Sequence, residues 1–94
     1  MKKNEATAAI IEVLHLVQEL SGRHVGEITG STCPIGDLDE FDSLSGVEAS
    51  SMLSDRIGFE LPGVSAFVNE KGTKALSVNQ IADVICKVAA EAKV

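Results

Sequence analysis

Apolar residues recur at helical spacing in three stretches of the chain, and the glycines and prolines gather between them. From about Asn4 to Ser21, Ala6, Ile10, Val13, Leu14, Val17 and Leu20 share one face while Glu5, Glu12, His15 and Glu19 take the other, which predicts an amphipathic helix. Ser21-Gly22 ends it, with Gly22 suited to a left-handed C-terminal cap. A second helix is expected from about Ser43 to Ile57, with Val47, Ser50, Leu53 and Ile57 toward the core and Leu44, Glu48, Ser51 and Asp55 on a different face. Gly46 costs this helix about 1 kcal/mol relative to alanine. Its serines, at 45, 50, 51 and 54, compete for backbone bonds, so it must depend on packing. Gly58 stops it. The last helix begins near Ser77, where Ser77 and Gln80 fit a capping box, and Val78, Ile81, Val84, Ile85, Val88 and Ala92 form its inner stripe, with Cys86 outside it.

The connection from Arg23 to Asp42 is long and punctuated by Gly26, Gly30, Pro34 and Gly36. Val25, Ile28, Ile35, Leu38 and Phe41 are its candidates for pinning it to the helices, and Cys33-Pro34 is expected to turn, because proline biases its predecessor away from helix. After Gly58, Phe59, Leu61 and Pro62 lead to Val64, Phe67 and Val68, enough for one or two turns of a short third helix closed by Lys71-Gly72. Strand alternation and internal repeats are absent, so the reading is all-α and a single domain over residues 1–94.

Composition adds to this outline. With no Trp or Tyr and only Phe41, Phe59 and Phe67, the core must be built from Ile, Val, Leu and Ala, and it is expected to be soft enough to yield to a guest. The formal charge of −6 argues against nucleic-acid binding, which needs clustered Lys and Arg. Between Asp37 and Glu60 the acids Asp37, Asp39, Glu40, Asp42, Glu48, Asp55 and Glu60 face a single base, Arg56, a field that steers basic partners or, in the plainer reading, only aids solubility. The start, Met1-Lys2-Lys3-Asn4-Glu5, lacks a following apolar run of the secretory kind, and no stretch could span a membrane. A cytoplasmic protein with Cys33 and Cys86 as free thiols is therefore expected. His15 and His24 have no ligand-spaced partners, so no metal site is expected.

The chemistry concentrates in Asp37 to Leu53, DLDEFDSLSGVEASSML. Asp42-Ser43 falls where a helix N-cap belongs, with side-chain oxygens able to accept from unpaired backbone N–H groups. A phosphate on Ser43 would lie near those donors and the positive end of the helix dipole. Leu44, an apolar residue beside the serine, shares its face with the acids Glu48 and Asp55, a combination suited to docking.

This stretch resembles the acyl carrier protein family, whose signature is Asp-Ser-Leu at the start of the second helix. Leu38, Asp39, Glu40 and Phe41 match the hydrophobic and acidic lead into the motif, and Val47 and Glu48 match the valine and glutamate that follow it. The resemblance implies an antiparallel bundle of three main helices and one short one. It also implies a protein that does no chemistry itself: a phosphopantetheinyl transferase, with Mg²⁺ in its own site, moves 4′-phosphopantetheine from coenzyme A to the Ser43 hydroxyl. The arm then carries acyl groups as thioesters between acyl-transferring and synthase enzymes with basic docking patches. Asp42 is the candidate contact for the transferase, and Leu44, Glu48 and Asp55 for the other enzymes. Many family members have an acid soon after the motif and a bulky apolar residue further on, where this chain has Ser45 and Ser51. That departure implies a specialised carrier, for polyketide or modified-lipid synthesis, more than a housekeeping one.

Two other classes compete. An unmodified helical interaction module would use the Leu44 face and never carry an adduct. An enzyme would need a base to activate Ser43, and neither histidine is near it in sequence.

Overall fold

Leu, Ile and Val at intervals of three and four residues wind Lys3–Leu20 into the first helix, α1, in a computed structural model of the chain. The structure describes residues 2–23, 26–38, 40–58, 60–61, 67–68 and 74–92, with their side chains except those of Ser43 and Ala92. The other helices are α2 (Pro34–Asp37), α3 (Ser43–Ile57) and α4 (Val78–Ala92). Among the described residues the fold is all-α, and its extended pairing is limited to an isolated antiparallel bridge between Val68 and Ala75. Helix α1 is the shared element, packed against both α3 and α4. Two contacts set its direction relative to α3: Gln18, near the end of α1, connects through Arg23 to Ser45 at the start of α3, while Glu12, mid-way along α1, pairs with Arg56 at the end of α3. The two helices therefore run antiparallel.

Helix α1 ends as the Gly22 signal predicts. Gly22 adopts a φ of 69°, its N–H donates to the Glu19 carbonyl at 3.0 Å, and the Arg23 N–H donates to the Gln18 carbonyl at 2.9 Å. This is a Schellman motif, and it fixes the backbone of Arg23. Ala6, Ile10, Val13, Leu14 and Val17 are buried as their spacing predicts. Leu20 is not: it is 74% exposed, and Gln18 is buried in its place. Gln18 follows Leu14 by four residues and continues the inner stripe, whereas Leu20 follows Leu16, itself exposed, on the flank outside it.

In α3 the inner face is made of small residues. Ser45, Gly46, Ala49, Ser50 and Leu53 are buried, Ile57 is half-buried, and Val47, expected on the core side, is exposed. The stripe runs one position away from the valine because residues 46, 49, 50, 53 and 57 share a face that excludes 47. Gly58 closes the helix in the left-handed conformation, its N–H donating to the Ser54 carbonyl.

Helix α4 starts with the expected capping box: the Ser77 N–H donates to Gln80 Oε1 at 2.9 Å and the Gln80 N–H to Ser77 Oγ at 3.3 Å. Val78, Ile81 and Ile85 are buried and Val84 and Val88 half-buried. Ala82 and Ala89 join the buried set, and Cys86, expected outside the stripe, packs half-buried against the core. The Ala92 side chain lies outside the description.

The long connection is pinned at four of the five expected points: Ile28 and Phe41 are buried, and Ile35 and Leu38 pack against the core. Val25 and His24 lie outside the described residues. The chain also closes over the start of α4, where the Val78 N–H donates to the Thr32 carbonyl and the Asn79 N–H to that of Gly30. The expected Cys33-Pro34 turn is the single turn α2. Within it Ile35 (φ −79°, ψ 108°) and Gly36 (φ 114°, ψ −41°) have dihedrals close to a type II β-turn.

Of the expected short third helix, Val64, Lys71 and Gly72 lie outside the described residues, as do Phe59 and Pro62. Phe67 and Val68 are described, and there extended pairing replaces helix. The Leu76 N–H donates to the Phe67 carbonyl at 2.9 Å, and Val68 bridges Ala75.

Candidate functional site

The entrance to α3 is built from three directions. From the chain before it, Glu40 takes a left-handed φ of 54° and the Phe41 N–H donates to the Leu38 carbonyl at 3.3 Å, turning the backbone into the helix. Phe41 is buried and stacks edge-on against Phe67, which is wholly buried. Asp42 then occupies the N-cap, with extended backbone and its Oδ1 accepting the Ser45 N–H at 3.0 Å. That bond, more than any other contact, holds the Asp42 carboxyl below its usual range, and the charge of Arg23 acts in the same direction. Asp42 is thus an exposed, ionised cap, as an acid at a helix N-terminus should be.

Ser43 follows as the first residue of α3. The first N–H groups of a helix lack intrahelical carbonyl partners and point out of this end, where an anion is favoured. Leu44 is 78% exposed, more than any other large apolar side chain described, and Val47, one turn on, is 39% exposed. Glu48, Ser51 and Asp55 are exposed as expected, and with Leu44 they repeat at positions that share the outer face. Their sequence pattern predicts this face; Val47 is its unexpected member. Leu44 and Val47 therefore form a small apolar step beside Ser43, bordered by carboxylates.

From the α1 side comes a polar cluster that the sequence pattern does not announce. Arg23 Nη1 lies 3.2 Å from Gln18 Oε1 and 3.0 Å from Ser45 Oγ. Gln18 is fully buried and Ser45 nearly so. The signal for Gln18 is its place four residues after Leu14 on the inner stripe. For Arg23 it is the position just after a left-handed glycine cap, which directs the side chain back along the helix it has left.

Before α3 the long connection encloses an open hollow of about 680 Å³ with Glu27, Asp37 and Glu40 among its lining residues. Asp37 is committed to the loop, its Oδ2 accepting the Cys33 N–H at 2.8 Å. Asp39 lies outside the described residues. Among the described residues, no group of three or more His, Cys, Asp or Glu side chains is placed to hold a metal ion, and no helix is long and apolar enough to cross a membrane. The site thus offers a hydroxyl-bearing residue at a helix start, a fixed acidic cap and an apolar step.

No protein-family model matches the chain, and no curated protein or solved structure matches it significantly. A function must therefore be read from these residues themselves.

Proposed function

We propose that the protein is an acyl carrier, an antiparallel bundle of three main helices that presents Ser43 for attachment of 4′-phosphopantetheine. The observation that carries the reading is the sequence of environments at the start of α3: an ionised N-cap at Asp42, the serine in the first helical position, and Leu44 almost fully in solvent. A serine serving only as a cap would sit at the N-cap itself, where Asp42 already does that work. Ser43 follows as the first helical residue and is not the cap. Leu44 immediately after it has no part in the core and, with Val47, presents an apolar step that a partner can cover.

The residues fit the group. A phosphodiester on Ser43 lies at the positive end of α3, where the dipole favours its charge. Once attached, 4′-phosphopantetheine supplies a terminal thiol that holds acyl groups as thioesters. The chain's own part is to present and to be recognised. Asp42 serves the phosphopantetheinyl transferase, whose Mg²⁺ belongs to its own site. Leu44 and Val47 enter an apolar recess on each partner, while Glu48 and Asp55 meet its basic rim, a charge pairing that speeds encounter. The reading is of a monomeric, cytoplasmic, non-catalytic carrier, in keeping with free thiols at Cys33 and Cys86. The serines at 45 and 51 favour a specialised pathway, in polyketide or modified-lipid synthesis, over general fatty-acid synthesis.

Incubation with coenzyme A, Mg²⁺ and a broad-specificity transferase tests this. Intact mass should rise by one phosphopantetheine, and Ser43→Ala should not change. A wild-type chain that stays unmodified under conditions that load a control carrier leaves the exposed Leu44 face to an unmodified interaction module.

A further inference from the structure

We infer that Arg23 is a positioning residue for Ser43: bridging Gln18 of α1 and Ser45 of α3, it locks the first turn of α3 and so sets where the serine is presented. The inference rests on the carrier reading. Ser43 stands between two residues that are both held. Asp42 before it is fixed by the Ser45 N–H, and Ser45 after it gives its N–H to Asp42 while its hydroxyl meets Arg23. Ser45 therefore joins the cap to the arginine, and the turn containing Ser43 cannot shift without breaking one of these bonds.

The arginine is itself anchored. The Schellman bonds at the end of α1 fix its backbone, and fully buried Gln18 offers Oε1 as an immobile acceptor. A guanidinium suits the task, because it stays charged and its planar donors reach two acceptors at once. Bonds to an ionised donor are stronger than neutral ones, and this pair is partly shielded from water. In a helix with Gly46 inside its first two turns and serines along its inner face, such a lock supplies order that local propensity does not.

A purely structural staple would lower stability without altering modification of the folded chain. The discriminating experiment measures transferase kinetics on Arg23→Met, Arg23→Lys, Ser45→Ala and the Arg23→Met/Ser45→Ala double variant, at a temperature where circular dichroism shows each to be folded. Coenzyme A is saturating and the carrier is varied. Misplacement of the attacking hydroxyl should appear in kcat, with Arg23→Met lowered about tenfold or more and KM changed less. Ser45→Ala should lose a similar factor, the double variant no more than either, and Arg23→Lys should recover part of the loss.

Unchanged kcat in folded Arg23→Met, with wild type still modified, overturns the positioning role and leaves the carrier reading intact. Absence of modification in wild type removes both. Should Arg23→Met not fold, Ser45→Ala and Arg23→Lys decide: kcat equal to wild type in both overturns the role, and a drop in Ser45→Ala supports it.

Discussion

The Phe41 ring meets the Phe67 ring edge-on, with centroids 5.7 Å apart and planes at 61°, one residue before the cap of α3. Two of the three phenylalanines in the chain are thus spent on holding the helix start against the segment that precedes α4. Phe67→Ala removes a fully buried aromatic ring and should cost about 3–5 kcal/mol, a large share of the stability of a domain this size. Phe41→Leu keeps apolar volume and loses the ring contact, for about 1 kcal/mol. Denaturant unfolding monitored by helicity measures both.

The cap at Asp42 makes stability depend on pH in a definite direction. Its carboxyl ionises more readily in the folded chain, chiefly because it accepts the Ser45 N–H, so folding favours the charged form. The stabilisation is complete above the ordinary value of 3.8 and is lost as pH falls through the lower folded value. Asp42→Asn keeps a capping oxygen but does not titrate. Its stability relative to wild type should therefore be constant near neutrality and improve on acidification below that value, as read from unfolding midpoints across the acid range.

Leu44 and Leu53 lie on the same helix and should respond oppositely. Leu53 is fully buried, and Leu53→Ala should cost about 2–5 kcal/mol. Leu44 is largely in solvent, and Leu44→Ala should change stability by less than about 0.5 kcal/mol. On the carrier reading, Leu44→Ala should nonetheless raise KM for the acyl-transferring enzymes that take the loaded carrier as substrate. Paired unfolding curves and carrier titrations separate the two roles.

Gly58 ends α3 at a φ of 85°, where a Cβ meets no neighbouring atom but the backbone itself disfavours L side chains. Gly58→Ala should destabilise by about 1 kcal/mol without altering any packing contact, visible as a lowered midpoint with an unchanged denaturant slope.

The helices are legible in the chain because large apolar residues mark α1 and α4 and a capping box marks the start of α4. Gly22 and Gly58, both left-handed, end α1 and α3 where expected. Hydropathy misplaces the inner face of α3, since the residues that pack there, Ser45, Gly46 and Ala49, carry almost no apolar signal, and the eye goes to Val47 instead. Leu20, expected inside, is exposed while Gln18 is buried for a related reason: burial follows the stripe from Leu14, and a polar residue on that stripe is buried once it finds a partner. At the site, Asp42 caps α3 where a cap is expected, and Leu44, Glu48, Ser51 and Asp55 are exposed on the face their spacing predicts. The Arg23 bridge depends on a contact between residues 22 positions apart, which no local pattern encodes.

The most direct test of the account is the chemical state of Ser43 in protein recovered from the cells that make it. Tandem mass spectrometry of the peptide spanning residues 37–53 should show phosphopantetheine, free or acylated, on Ser43 and on no other residue of that peptide. Recovery of this peptide only in unmodified form, from cells whose other carriers are loaded, would contradict the account.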